Sequence, residues 1–152
     1  MRMKKEIKVT LTAREYLDQL QDIDINIEQE KDKLKTMRID ATGSKGIDYT
    51  KDRVMISPSD RLCGDVCDII TVDKKVTEKI NRFLDAKEQI IDQIRGLHNP
   101  IYNQILYKVY VEYKSLKRAS FEMHRSYAFV RDKHKDALQA FEETYPELYW
   151  LV

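Results

Sequence analysis

Glycine and proline are scarce, at four and three in 152 residues, about 5% together against about 12% in average usage. A sandwich or barrel of short strands needs a turn signal about every 8 to 12 residues, so that class is excluded. Cysteine is limited to Cys63 and Cys67. Four apart, they share one helix face, where a disulfide is geometrically awkward. With His98, His124 and His134 they complete no zinc spacing, so we expect ordinary free thiols and no metal or cofactor. The chain lacks the apolar run of about 18 residues that a membrane span requires. It also shows no signal-peptide pattern, so the expectation is a cytoplasmic protein away from membranes. A Gly-rich phosphate loop, a nucleophile elbow and a His/Glu metal pair are all missing, which argues against an enzyme.

Charge of one sign is also in short supply, because 27 Lys and Arg against 26 Asp and Glu leave a net +1. The distribution is more telling than the total. Residues 1–99 are balanced at 19 of each, residues 100–140 hold eight basic and four acidic side chains, and the last twelve hold three acidic and no basic ones. The basic island at 100–140 is where a nucleic-acid contact is to be sought. Apolar residues make up 42% and charged residues 35%, enough to build a core and too regular in placement for disorder. The composition points to an all-α protein.

Thr12 followed by Glu15 is a capping box, and a helix is expected from there to about Arg38. Ala13, Tyr16, Leu20, Ile23, Ile27, Leu34 and Met37 follow alternating steps of three and four, with Glu30 standing in the seam. From Ile39 to Gly64 the rhythm disappears, and Gly43, Ser44, Gly46, Asp48, Ser57, Pro58 and Ser59 mark a long loop, with Val54, Met55 and Ile56 as an apolar clip. A second helix is signalled from about Asp60 or Asp65 to Gly96. It carries Val66, Ile69, Val76, Ile80, Phe83, Ile90, Ile94 and Leu97, interrupted by Asp73 and Lys87. Two such helices can bury each other's apolar faces. Residues 10–98 therefore read as an antiparallel, coiled-coil-like helical hairpin with a long loop near 39–64.

Asn99-Pro100 blocks helix continuation at 99 and opens a new helix with Pro in its first turn, so a domain boundary is expected there. Ile101, Ile105, Leu106, Val109 and Tyr110 then recur at helical spacing. Ser115 is an N-cap for a helix to about Met123, and Ser126 is an N-cap for a helix carrying Phe129, Val130, Ala137, Leu138 and Phe141. Two capped helices joined by His124-Arg125-Ser126 have the dimensions of a helix-turn-helix, which assigns residues 99–144 to a DNA-binding module.

The stretch from Ser115 to Leu138, with Leu116, Ala119, Met123, Val130, Ala137 and Leu138 at its core positions, resembles the region-four helix-turn-helix of bacterial sigma factors. Ile105 to Tyr113 looks like the helix that precedes it in that family. More narrowly, Arg53-Val54-Met55-Ile56-Ser57-Pro58, then Ser126-Tyr127, Val130, His134 and Ala137-Leu138, is similar to the ArpU/RinA-type late-gene regulators of phages and integrated elements in Gram-positive bacteria. The family's turn carries Gly where this chain has His124, a residue type that tolerates positive φ. Tyr127 and Ala128 stand where sigma factors place Arg and Glu.

The resemblance implies a sequence-specific regulator of mobile-element genes that binds double-stranded DNA, in some modes alongside RNA polymerase. Its DNA-binding residues would include Ser126, the cap of the last helix, Tyr127 and Ala128 at the exposed N-terminal end that meets base edges, and Arg131 and Lys135, one turn apart on the same helix. Arg131 is placed to fork onto guanine O6 and N7, and Tyr127 to meet a phosphate or a thymine methyl. Lys114, Lys117, Arg118 and Arg125 would be phosphate ligands. Two other classes compete with this reading: a module that binds RNA polymerase or a sigma factor without touching DNA, and a DNA-packaging adaptor like a small terminase subunit. Residues 145–152 form an apolar tail (Leu148, Tyr149, Trp150, Leu151, Val152) whose burial is worth roughly 1.5 to 3 kcal/mol per large side chain. It is expected to dock on its own helices or, like the hairpin, to serve a homodimer.

Overall fold

The computed structural model of the chain describes residues 10–41 and 58–151, and every regular element among them is helical. These are α1 (Ala13–Ala41), α2 (Pro58–Arg95), α3 (Pro100–Leu106) running into a π-helical turn (Tyr107–Val111), α4 (Leu116–Glu122) and α5 (Tyr127–Thr144). No helix among the described residues is long and apolar enough to cross a membrane.

The capping box at the start of α1 forms as its spacing predicts. The Thr12 N–H donates to Glu15 Oε2 at 2.9 Å and the Glu15 N–H donates to Thr12 Oγ1 at 3.3 Å. Helix α2 begins earlier than the sequence suggests, because Pro58 opens it. Proline lacks the N–H that would be orphaned at that position and brings a φ already suited to a helix. Gly64 consequently lies inside α2 rather than in the connection. The apolar clip at 54–56 and the side chains of Cys63 and Cys67 lie outside the described residues.

The chain divides into two compact units, one formed by residues up to Asp24 with those from Asp85 onward, the other by Ile25–Leu84. In the second, Ile27 and Val76 are buried. Arg38 meets Asp73 at 3.2 Å and Lys79 donates to Glu30, so charged side chains of α1 and α2 meet there. In the first, Tyr16, Leu17, Leu20 and Ile23 of α1 are buried, as are Ile90 and Ile94 of α2, Ile105 and Leu106 of α3, and Phe141 of α5. The Tyr16 hydroxyl donates to Gln93 Oε1 at 2.7 Å, and Lys87 holds Asp24 at 2.6 Å. Each of the three charged residues that interrupt the apolar rhythm, Glu30, Asp73 and Lys87, thus meets an opposite charge on the other helix. Polar groups at seam positions of this kind fix register at some cost in stability.

The compact units do not divide at Asn99-Pro100. Asn99 caps α3 as expected, its Oδ1 accepting from the Ile101 N–H at 3.0 Å, but the helices that follow are packed with the first part of α1. Phe141 lies 5.9 Å from the Tyr16 ring and 5.0 Å from the Tyr145 ring, and the Ala13 N–H donates to Glu142 Oε1 at 2.8 Å. Gly96, the residue after α2, has no room for a Cβ because the Tyr145 hydroxyl, which donates to the Gln93 carbonyl at 3.0 Å, fills that space.

The tail docks within its own unit. The Leu11 N–H donates to the Leu148 carbonyl at 2.8 Å, and Leu148 is buried. Buried Gln19 acts as a clasp, accepting from the Leu151 N–H at 2.9 Å and donating to the Tyr149 carbonyl at 3.4 Å. Trp150 remains 60% exposed, so the tail docks without burying its largest side chain.

Candidate nucleic-acid interface

Helices α4 and α5 start where their serines place them. Ser115 Oγ accepts from the Arg118 N–H and Ser126 Oγ from the Phe129 N–H, both at 3.2 Å, satisfying donors that would otherwise be orphaned. Between the helices His124 adopts φ 52°. The His124 N–H bonds the Phe121 carbonyl at 3.2 Å and the Arg125 N–H bonds the Ser120 carbonyl at 3.0 Å. This is the Schellman pattern, which normally uses glycine at the left-handed position. Ile105, Ala119 and Val130 form the buried core of the three helices, with Ile101, Val109, Leu116, Met123 and Phe129 packed around it.

With Val130, His134, Ala137 and Phe141 turned inward, α5 exposes Ser126, Tyr127, Ala128, Arg131 and Lys135. Arg131 bonds the adjacent Asp132 at 3.1 Å, with both side chains about half or more exposed; such surface pairs hold weakly. Arg125 is exposed and lies 5.4 Å over the Phe129 ring. Lys117 is exposed on α4.

Lys114 and Arg118 are placed differently from their sequence-predicted role. Both are bound to Glu122: Lys114 Nζ donates to Oε2 at 2.8 Å and Arg118 Nε to Oε1 at 3.0 Å. Lys108, from the π-helical turn, adds a third bond to Oε2 at 2.9 Å, and Lys114 also pairs with Glu112 at 2.8 Å. These cations, with Lys114 first, hold the Glu122 carboxyl down to about 2. The Arg118–Glu122 pair is legible from its spacing of four. Lys108 is not, because a π-helical turn shifts its direction relative to an α-helical wheel. Phe121, 73% exposed, is a further surface group without a signal in the hydrophobic pattern.

Behind α5, the Tyr110 hydroxyl lies 3.1 Å from His134 Nε2 and the two rings stack at 5.7 Å. Burial pushes the Tyr110 hydroxyl up to about 12 and lowers the His134 imidazole, with the nearby Arg14 charge acting in the same direction. Asp18 and Tyr113 line the same groove. Tyr113 has φ 56°, a conformation held by its hydroxyl, which donates to the Leu20 carbonyl at 3.0 Å and to Asp24. The unfolded chain, with an ordinary imidazole near 6.5, binds the His134 proton more readily than the folded one. Its stabilising contribution is therefore complete above about pH 6.5 and is lost as the pH falls below that value. Melting temperatures measured from pH 7.5 to 5 are expected to fall more steeply for the native chain than for His134→Gln. Parallel curves would contradict this assignment.

No protein-family model, curated protein or solved structure matches this chain.

Proposed function

We propose that the chain is a sequence-specific, double-stranded-DNA-binding transcription regulator that acts by binding rather than by catalysis. In this reading a helical hairpin precedes a helix-turn-helix made of α4 and α5, and the resemblance to sigma region four and to phage late-gene regulators suggests mobile-element genes as its targets. The observation that carries the reading is the outward face of α5. Its serine-capped N-terminal end presents Tyr127 and Ala128, with Arg131 and Lys135 one turn apart beyond them, while the opposite face is locked into the core. A helix so held offers base-reading side chains from its first turns and cations beyond them.

Phosphate contacts then fall to Lys117, Arg125 and Lys135, since Lys114 and Arg118 are engaged by Glu122. Three contacts give a slope of log affinity against log salt of about −3. Titrating a labelled duplex at several salt concentrations checks this. A second reading, docking on RNA polymerase or a sigma factor without DNA contact, draws support from the exposed Phe121, whose ring lies beneath Arg118 at 5.8 Å. A slope near zero favours that second reading.

A further inference from the structure

We propose that Lys108, Lys114 and Arg118 form a latent phosphate-binding cradle that the chain's own Glu122 keeps closed, restraining non-specific attachment to DNA. The inference rests on the DNA-binding reading above. Three cations drawn from three separate segments, the π-helical turn, the residue before the Ser115 cap and α4, converge on the two oxygens of one carboxylate within 3.0 Å. Two non-bridging oxygens of a backbone phosphate offer the same pair of acceptors to the same donors, and with charge-assisted bonds of the same kind. The cradle is reachable from outside chiefly on its Arg118 and Lys114 side: the Arg118 side chain is 64% exposed and that of Lys114 29%, while Lys108, at 16%, lies at its floor beside Glu122, at 20%.

Glu122 supplies one charge against three, and Glu112 supplies a second, 2.8 Å from Lys114 and 3.8 Å from Lys108. With both carboxylates in place, an incoming phosphate meets two anions as well as three cations. Without the Glu122 charge, it meets Glu112 alone. Because the surrounding cations keep Glu122 ionised throughout the physiological pH range, acidification does not open the cradle and only competition or substitution does. The phosphate attraction that remains comes from Lys117, Arg125 and Lys135. A closed cradle lowers affinity for any sequence equally, so a larger share of the binding energy is left to the base-facing side chains of α5.

The test uses the full chain and a short mixed-sequence duplex at about 0.1 M salt. Opening the cradle to one or two phosphates should tighten binding of Glu122→Gln about tenfold or more and steepen the log-log salt slope by about 1 to 2. Glu147→Gln removes the same charge from the tail and is expected to change affinity less than twofold. Adding Lys114→Ala to Glu122→Gln should cancel most of the gain. In the native chain Lys114→Ala is expected to cost less than Lys117→Ala, an outcome that does not depend on the Glu122 variant folding; circular dichroism of each variant accompanies the titrations. Equal gains from Glu122→Gln and Glu147→Gln would reduce the effect to net charge and overturn the proposal. So would a native-background loss for Lys114→Ala matching that for Lys117→Ala, because the cradle would then already be open. Duplex binding by the native chain with no gain in Glu122→Gln overturns the cradle alone, whereas no binding by any variant overturns the DNA-binding reading together with it.

Discussion

Phe141→Ala is expected to cost about 3 to 5 kcal/mol of folding stability, the range for deleting a fully buried phenyl ring. Phe141 is wholly inaccessible to solvent and packs between Tyr16 and Tyr145, so the cavity has rigid rings on two sides and little freedom to collapse. Glu142, its neighbour, caps the Ala13 N–H, so a shift of α5 at this point also disturbs the start of α1. Phe121→Ala supplies the internal contrast, since a ring 73% exposed falls among surface changes that usually stay within about 0.5 kcal/mol. Chemical denaturation of the two variants checks the pair. Similar losses would mean that the packing of α1 against α5 does not carry the fold of this unit.

Arg131→Ala is expected to weaken binding to a preferred DNA site by about 1 to 3 kcal/mol and to relax preference at one base position. Its partner in the free protein, Asp132, is exposed and gives way readily to a base edge. Lys117→Ala, by contrast, should weaken all sequences alike, because a phosphate contact carries no base information. Competition titrations with the preferred site and single-base variants separate the two effects. An unchanged preference profile in Arg131→Ala would remove that residue from base reading and transfer the role to Tyr127.

Much of the helical layout was legible because local chemistry decides it. The Thr12–Glu15 box, Asn99 before Pro100, and the serines at 115 and 126 each act within a few residues, and each forms the cap its spacing predicts. His124 was readable as a tolerated left-handed residue for the same reason. In the sequence the charged residues of the apolar seams are interruptions, and only their partners on the other helix, Lys79, Arg38 and Asp24, explain them. Other features depended on residues distant in sequence. The Gln19 clasp on the tail spans about 130 positions, and the Phe141–Tyr16 contact joins opposite ends of the chain. Asn99-Pro100 is a genuine break in the helix but not a break in packing, because local breakers say nothing about which faces are buried together.

At the candidate interface, the sequence locates the cations and, through a spacing of four, the Arg118–Glu122 pair, but not the attachments of Lys114 and Lys108. Lys114 and Arg118 are basic residues in a basic island, and no periodicity says that Glu122 holds both. The π-helical turn that brings in Lys108 carries no signal in the hydrophobic rhythm, which assumes α-helical spacing throughout. The Trp150 side chain departs from its composition in the opposite sense. The hydrophobic composition predicts a docked tail, and the tail does dock, through buried Leu148, the Leu11–Leu148 backbone bond and the Gln19 clasp, with the indole left 60% exposed.

If α5 reads DNA sequence, selection of bound duplexes from a random pool by the full chain at physiological salt will reveal what it reads. The expected result is enrichment of a short motif with at least one guanine whose preference disappears in Arg131→Ala. Retention of DNA without enrichment, or no retention at all, would contradict it.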